Sequence, residues 1–107
     1  MKEEKLLHLL QKKKGFFEAI LEITEEESEL CVHEWFGALE QKKILLSCIE
    51  EIDAQIHPFK QSMQTISQEV TEELDHIRNI IKRILHIDVI NQEKRKKELH
   101  HTDGFQA

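Results

Sequence analysis

Apolar residues return at intervals of three and four along most of the chain, and three stretches carry that rhythm far enough to be read as amphipathic helices. In the first, from Lys2 to about Leu30, the residues Leu6, Leu9, Phe16, Ile20, Ile23 and Leu30 form a stripe that Lys13, Thr24 and Glu27 interrupt. The run Lys12, Lys13, Lys14, Gly15 has the form of a helix stop, with cations at a carboxyl end and a glycine free to turn. Two readings follow: one continuous helix, favoured because Leu9, Phe16 and Ile20 stay in phase across the glycine, or a short separate helix at the N-terminus.

After a turn around Cys31 to Glu34 a new register begins at Trp35, in which Ala38, Lys42, Leu45, Ile49, Ile52 and Ile56 follow without a slip. Leu39 and Leu46 widen this stripe, as expected of a middle helix touching two neighbours. Pro58 lacks an amide hydrogen and restrains His57, so the second helix is predicted to stop near Ile56 and residues 57–68 to form a connector.

The third stretch runs from Glu69 to about Leu99, and Val70, Leu74, Ile77, Ile81 and Ile84 fall on one narrow stripe. Ile80, Ile87 and Ile90 flank it on one side and Leu85 and Val89 on the other, more apolar surface than a three-helix bundle needs. Asp88 and Asn91 return to the stripe itself, so beyond Leu85 the seam turns polar and the helix is expected to outrun its companions. The segment HHTDGFQA has no period and is expected to be a flexible tail. The fold class predicted is therefore all-α, an antiparallel bundle of three long helices, as a helical hairpin plus a third helix. Residues 1–99 form its one domain, and 100–107 the tail.

Composition agrees, since 107 residues with 3 Gly, 1 Pro and no Tyr leave too little punctuation for strands. The net charge of −6 is uneven: residues 1–15 carry five Lys against two Glu, and residues 16–90 six Lys or Arg against sixteen Asp or Glu. An acidic middle between basic ends argues against a nucleic-acid groove, which needs a continuous basic face. Leu6, Leu7, Leu9 and Leu10 before the lysines hint at a membrane surface, but the acidic remainder opposes it, and no stretch reads as a signal peptide or a span. Cys31 and Cys48 lack Cys-x-x-Cys spacing and read as small core hydrophobes, with a reducing cytoplasm as the expected location.

Seven histidines among many carboxylates raise the question of a metal. Two Glu-x-x-His pairs exist, Glu73 with His76 and Glu98 with His101, but both lie on the third helix, about 37 Å apart, and cannot share an ion. His33 and Glu34 do not extend to a zinc-protease motif, because Gly37 stands where its second histidine would be. With no phosphate loop, nucleophile elbow or cysteine-histidine dyad, no enzyme, metal or cofactor is expected.

The stretch EAILEITEEESELCVHEWFGALEQKKILLSCIEEIDAQI combines a leucine- and glutamate-rich helix, the turn His33-Glu34-Trp35, and a helix continuing Leu39-Glu40-Gln41-Lys42-Lys43-Ile44-Leu45-Leu46. Downstream, VTEELDHIRNIIKRILHIDVINQEKRKKEL carries an Ile-Leu-x-Ile-Asp cluster at Ile84 to Asp88. Over residues 16 to 99 this resembles the bacterial flagellar export chaperones of the FliT and FlgN kind. The resemblance implies a cytoplasmic chaperone that keeps a secreted filament-cap or hook-associated subunit unpolymerised and delivers it to the type III export gate or its ATPase. The partner contact then falls on the surplus flanks, Ile80, Leu85, Ile87, Val89 and Ile90, laid against an amphipathic helix of the client. Two other classes share the composition: a coiled-coil scaffold or stalk component of a type III system, and a homodimeric bundle that buries the same isoleucines against its own copy.

Overall fold

The computed structural model describes the backbone of residues 2–62 and 66–106 and the side chains of residues 2–61 and 66–98. The architecture is all-α: α1 spans Lys2–Glu26, a short 3-10 turn follows at Glu27–Glu29, α2 spans Val32–Ser62 and α3 spans Gln68–Gln106. The helices run up, down and up, so α1 is antiparallel to α2 and parallel to α3. Cross-helix pairs record both directions, Lys13 with Asp53 and Thr24 with Lys42 on one side, Lys14 with Glu73 and Thr24 with Asn91 on the other.

Helix α1 is continuous through Gly15, which keeps a negative φ, and there is no separate leading helix. The lysine run that resembles a stop acts sideways instead. Lys13 reaches Asp53 of α2 at 2.6 Å, and Lys14 reaches Glu73 of α3 at 3.0 Å. Their charges are thus satisfied by neighbouring helices, and the run does not mark a helix end.

Helix α2 does not stop at Ile56 but continues through Pro58 to Ser62. Proline forfeits the bond to the carbonyl four residues earlier. The compensation is tertiary: the added turn carries Phe59 onto the core beside Leu6, Leu10, Ile56 and Val70. The centre of the expected connector, residues 63–65, lies outside the described residues. Ser67 opens α3 as its N-cap, its hydroxyl accepting from Val70 N–H at 3.2 Å and its carbonyl from Thr71 N–H at 3.0 Å. The helix runs on past Leu99 to Gln106, although the expected tail's side chains, including Phe105, lie outside the described residues.

The core has two apolar layers. Leu6, Leu10, Ile52, Ile56, Val70 and Ile77 form the larger, towards the α2–α3 end, and Ile20, Ile49 and Ile84 the smaller. Apart from Leu10, which is almost fully buried yet absent from the α1 stripe, these are the residues the periodicity marks. The middle member of the bundle is α1, not α2: it packs lengthwise on both other helices, while the α2 and α3 backbones hardly approach each other. Leu39 and Leu46 therefore do not fill a second helix interface, and Leu46 stays exposed.

Beyond the second layer the core becomes polar without becoming exposed. Thr24, Glu27, Lys42, Asn91 and Arg95 are all buried. The expectation that α3 outruns its cover once its seam turns polar is thus corrected: the last turn of α1 and the 3-10 turn cover it as far as Arg95. With 39 residues, about 58 Å long, α3 outruns its companions only beyond that point.

Candidate functional site

The polar layer is built from the interruptions in three separate stripes. Lys42 donates to Thr24 Oγ1 at 3.0 Å and Asp88 Oδ1 at 3.3 Å, and its ammonium stands 2.6 Å from Glu27 Oε1 as an ion pair without hydrogen-bond geometry. Asn91 Nδ2 donates to the Thr24 carbonyl at 2.9 Å and to Glu27 Oε2 at 3.4 Å. Arg95 donates to the Glu27 carbonyl at 2.8 Å, which also accepts from the Leu30 N–H, to the Leu30 carbonyl at 2.7 Å, and to Glu98 at 2.9 Å. Lys94 also donates to the Ser28 carbonyl. The turn between α1 and α2 is thereby tied to α3.

Arg95 also places Trp35. Its guanidinium carbon lies 5.6 Å from the indole centroid, within cation–π range, and the Phe36 ring packs beside the indole at 5.6 Å and 48°. Trp35 sits just inside the start of α2, where Glu34 Oε1 accepts from the Cys31 N–H at 3.2 Å in the manner of half a capping box. The Cys31 thiol and then its N–H hold the Glu34 carboxyl below its ordinary value of 4.5, with His33 adding to the effect and slight desolvation opposing it. Cys31 is exposed at this cap, contrary to the expectation of a core thiol, whereas Cys48 is half-buried, and both are free.

Because α2 and α3 stay apart, an open groove runs between them above this polar layer, with a volume of about 480 Å³. Trp35, Phe36, Leu39 and Leu46 form its α2 wall, Asp88 and Gln92 its α3 wall, and Lys42, Asn91 and Glu27 its floor. Leu85 and Val89, each three residues before a member of the α3 wall, lie beside that wall on the helix surface, outside the groove's own lining. The α2 wall and the α3 surface beside the groove are exposed and apolar: Phe36 is 59% accessible, Leu85 59% and Val89 58%.

The flank residues singled out by periodicity divide into two groups. Leu85 and Val89 stand, by helical spacing, beside the groove's α3 wall. Ile90 is also exposed, at 54%, but sits roughly 140° around the helix from Leu85 and belongs to another face. Ile80 and Ile87 are half-buried, and Ile80 packs against the second core layer with Phe16, Phe17 and Leu21. The α2 wall is not among the residues that periodicity singles out for binding: Leu39 and Leu46 are expected to touch a second helix, and Phe36 recurs beside them at helical spacing without entering the core stripe.

Among the described residues no three His, Cys, Asp or Glu side chains converge as a metal site, and Glu73 of the first Glu-x-x-His pair is instead ion-paired to Lys14. Nor is any described helix long and apolar enough to cross a membrane. Compared with models of protein families, with curated proteins and with solved structures, the chain matches none of them.

Proposed function

We propose that this chain is a helix-binding protein that acts without covalent chemistry, and that its client is an export substrate of a flagellar type III system, a filament-cap or hook-associated subunit held unassembled in the cytoplasm. The observation that carries the reading is the apolar groove left where the backbones of two helices that flank α1 stay apart. A fourth helix laid there would bury Phe36, Leu46, Leu85 and Val89 together, in the way amphipathic segments are received by hydrophobic grooves. From Trp35 to Leu46 the α2 wall extends about 16 Å, so three turns of a client helix suffice to fill it. The flagellar assignment rests on the resemblance of residues 16 to 99.

The test is co-expression with the cap and hook-associated subunits encoded in the same genome, followed by co-purification and an assay of subunit polymerisation. Binding that suppresses polymerisation, and that is lost in Phe36→Asp and in Leu85→Asp with Val89→Asp at unchanged melting temperature, supports the proposal. If the wild-type chain leaves every such subunit free, the flagellar reading fails.

A further inference from the structure

The groove is apolar along its α2 wall, but its floor and the Asp88 edge of its α3 wall are charged, and that charge is unbalanced. Two carboxylates, Glu27 and Asp88, share the one ammonium of Lys42, which also donates to Thr24 Oγ1 and meets Glu27 Oε1 as an ion pair without a hydrogen bond. Glu27 is sealed, at 2% accessibility, and accepts from Asn91 as well. Asp88 is different: its side chain is 31% accessible, only Oδ1 is engaged, at a long 3.3 Å, and among the described residues Oδ2 accepts from nothing. The other cation of the groove, Lys43, stands at the rim and pairs with Glu40, both largely in solvent.

An occupant that covers this floor takes the free oxygen of Asp88 out of water. If its inward face is wholly apolar, a carboxylate oxygen is buried unpaired, and the occupant is penalised for it. A glutamate or aspartate there would add repulsion. A lysine or arginine would complete the cluster, giving two cations for two anions, with charge-assisted bonds in a site screened from water. Resting on the groove reading above, we infer that the occupant is an amphipathic helix carrying one basic residue in the middle of its apolar face, and that Asp88 selects it. Apolar anchors supply the contact area, and the buried cation supplies discrimination.

A display library of 18-residue helices, with apolar residues held at helical spacing and all other positions random, tests this against the intact protein. Individual peptides are then titrated by the fluorescence of Trp35, the single tryptophan, which lines the groove. The expected binders carry Lys or Arg at one inward position. Replacing it by Met should weaken binding by about tenfold or more in the wild type, and by less than about threefold in Asp88→Asn, whose amide oxygen can still accept from Lys42. An isomeric peptide with the lysine moved to its outer face keeps the net charge and should bind no better than the Met peptide. Should Asp88→Asn fail to fold, salt titration of the wild type substitutes, since only the inward-lysine advantage should persist at an ionic strength that screens exposed charge.

Binders without an inward cation, or an equal loss on replacing it in both proteins, would overturn the role of Asp88 and leave the groove reading standing. No binders at all, or binders indifferent to Phe36→Asp, would overturn both.

Discussion

At one end of the bundle Leu6, Leu10, Ile52, Ile56, Val70 and Ile77 meet as an apolar layer, and some 20 Å along the axis Thr24, Glu27, Lys42, Asn91 and Arg95 meet as a polar one. Both are buried and both draw on all three helices. The apolar layer is held by area removed from water, about 1.5–3 kcal/mol for each large side chain, and any residue of similar volume would serve. In the polar layer each group costs free energy to bury and recovers it only from particular partners at particular atoms, so its net contribution is small while its tolerance for change is low. A slide of α3 by one turn would still put isoleucine against isoleucine in the first layer. It would strip Glu27 of Asn91 and the turn carbonyls of Arg95 in the second. One end therefore supplies stability and the other holds register, and the groove lies over the end that holds register.

Substitutions that remove one partner should separate the two ends most sharply. Lys42→Met leaves Glu27 charged and unpaired at 2% accessibility and should cost about 3–5 kcal/mol in urea unfolding. A cost under about 1 kcal/mol would mean the layer is wetter than its burial suggests. Ile56→Ala, at the other end, removes packing alone and should cost about 2–5 kcal/mol, with no change in Trp35 fluorescence because the disturbance is remote from the groove. The double substitution Glu27→Met with Lys42→Met should fall within about 1 kcal/mol of wild type or above it, since two apolar side chains of similar volume replace the pair. If it is as unstable as Lys42→Met alone, the pair contributes more than register.

Gly15→Ala should raise stability by about 1 kcal/mol, because the helix passes through Gly15 with nothing within 4 Å of where the new methyl would stand. Destabilisation would mean that the glycine is used as a hinge. The smallest effect is expected at the α2 cap. The Glu34 carboxyl has a lowered value in the folded chain, so its contribution is complete above 4.5 and is lost as pH falls through the folded value; Glu34→Gln should flatten that part of the acid limb of a pH–stability curve and change little at pH 7.

The three stripes were legible because each records burial in a single helix's own period, and nearly every residue on them is buried or half-buried. Pro58 does not stop its helix and the Lys12–Gly15 run does not either, as the phase of Leu9, Phe16 and Ile20 already favoured, and the two share a reason. Local rules describe what an isolated segment prefers, and here Phe59 in the core and the ion pairs of Lys13 and Lys14 outweigh those preferences. The polar exceptions, Thr24 and Glu27 on α1, Lys42 on α2, and Asp88 and Asn91 on α3, were each visible as breaks in a stripe. Nothing in one stripe says that its break will meet the others.

That this protein is all-α, roughly where each of its three helices runs and which face of each turns inward follow from spacing within a few turns of chain. Which helix stands in the middle emerges only when all three pack together, since two long stripes of similar width can each accept two neighbours. The same holds for the groove: whether Phe36 and Leu85 are core or surface depends on how closely α2 approaches α3, a distance set by side chains on all three helices at once.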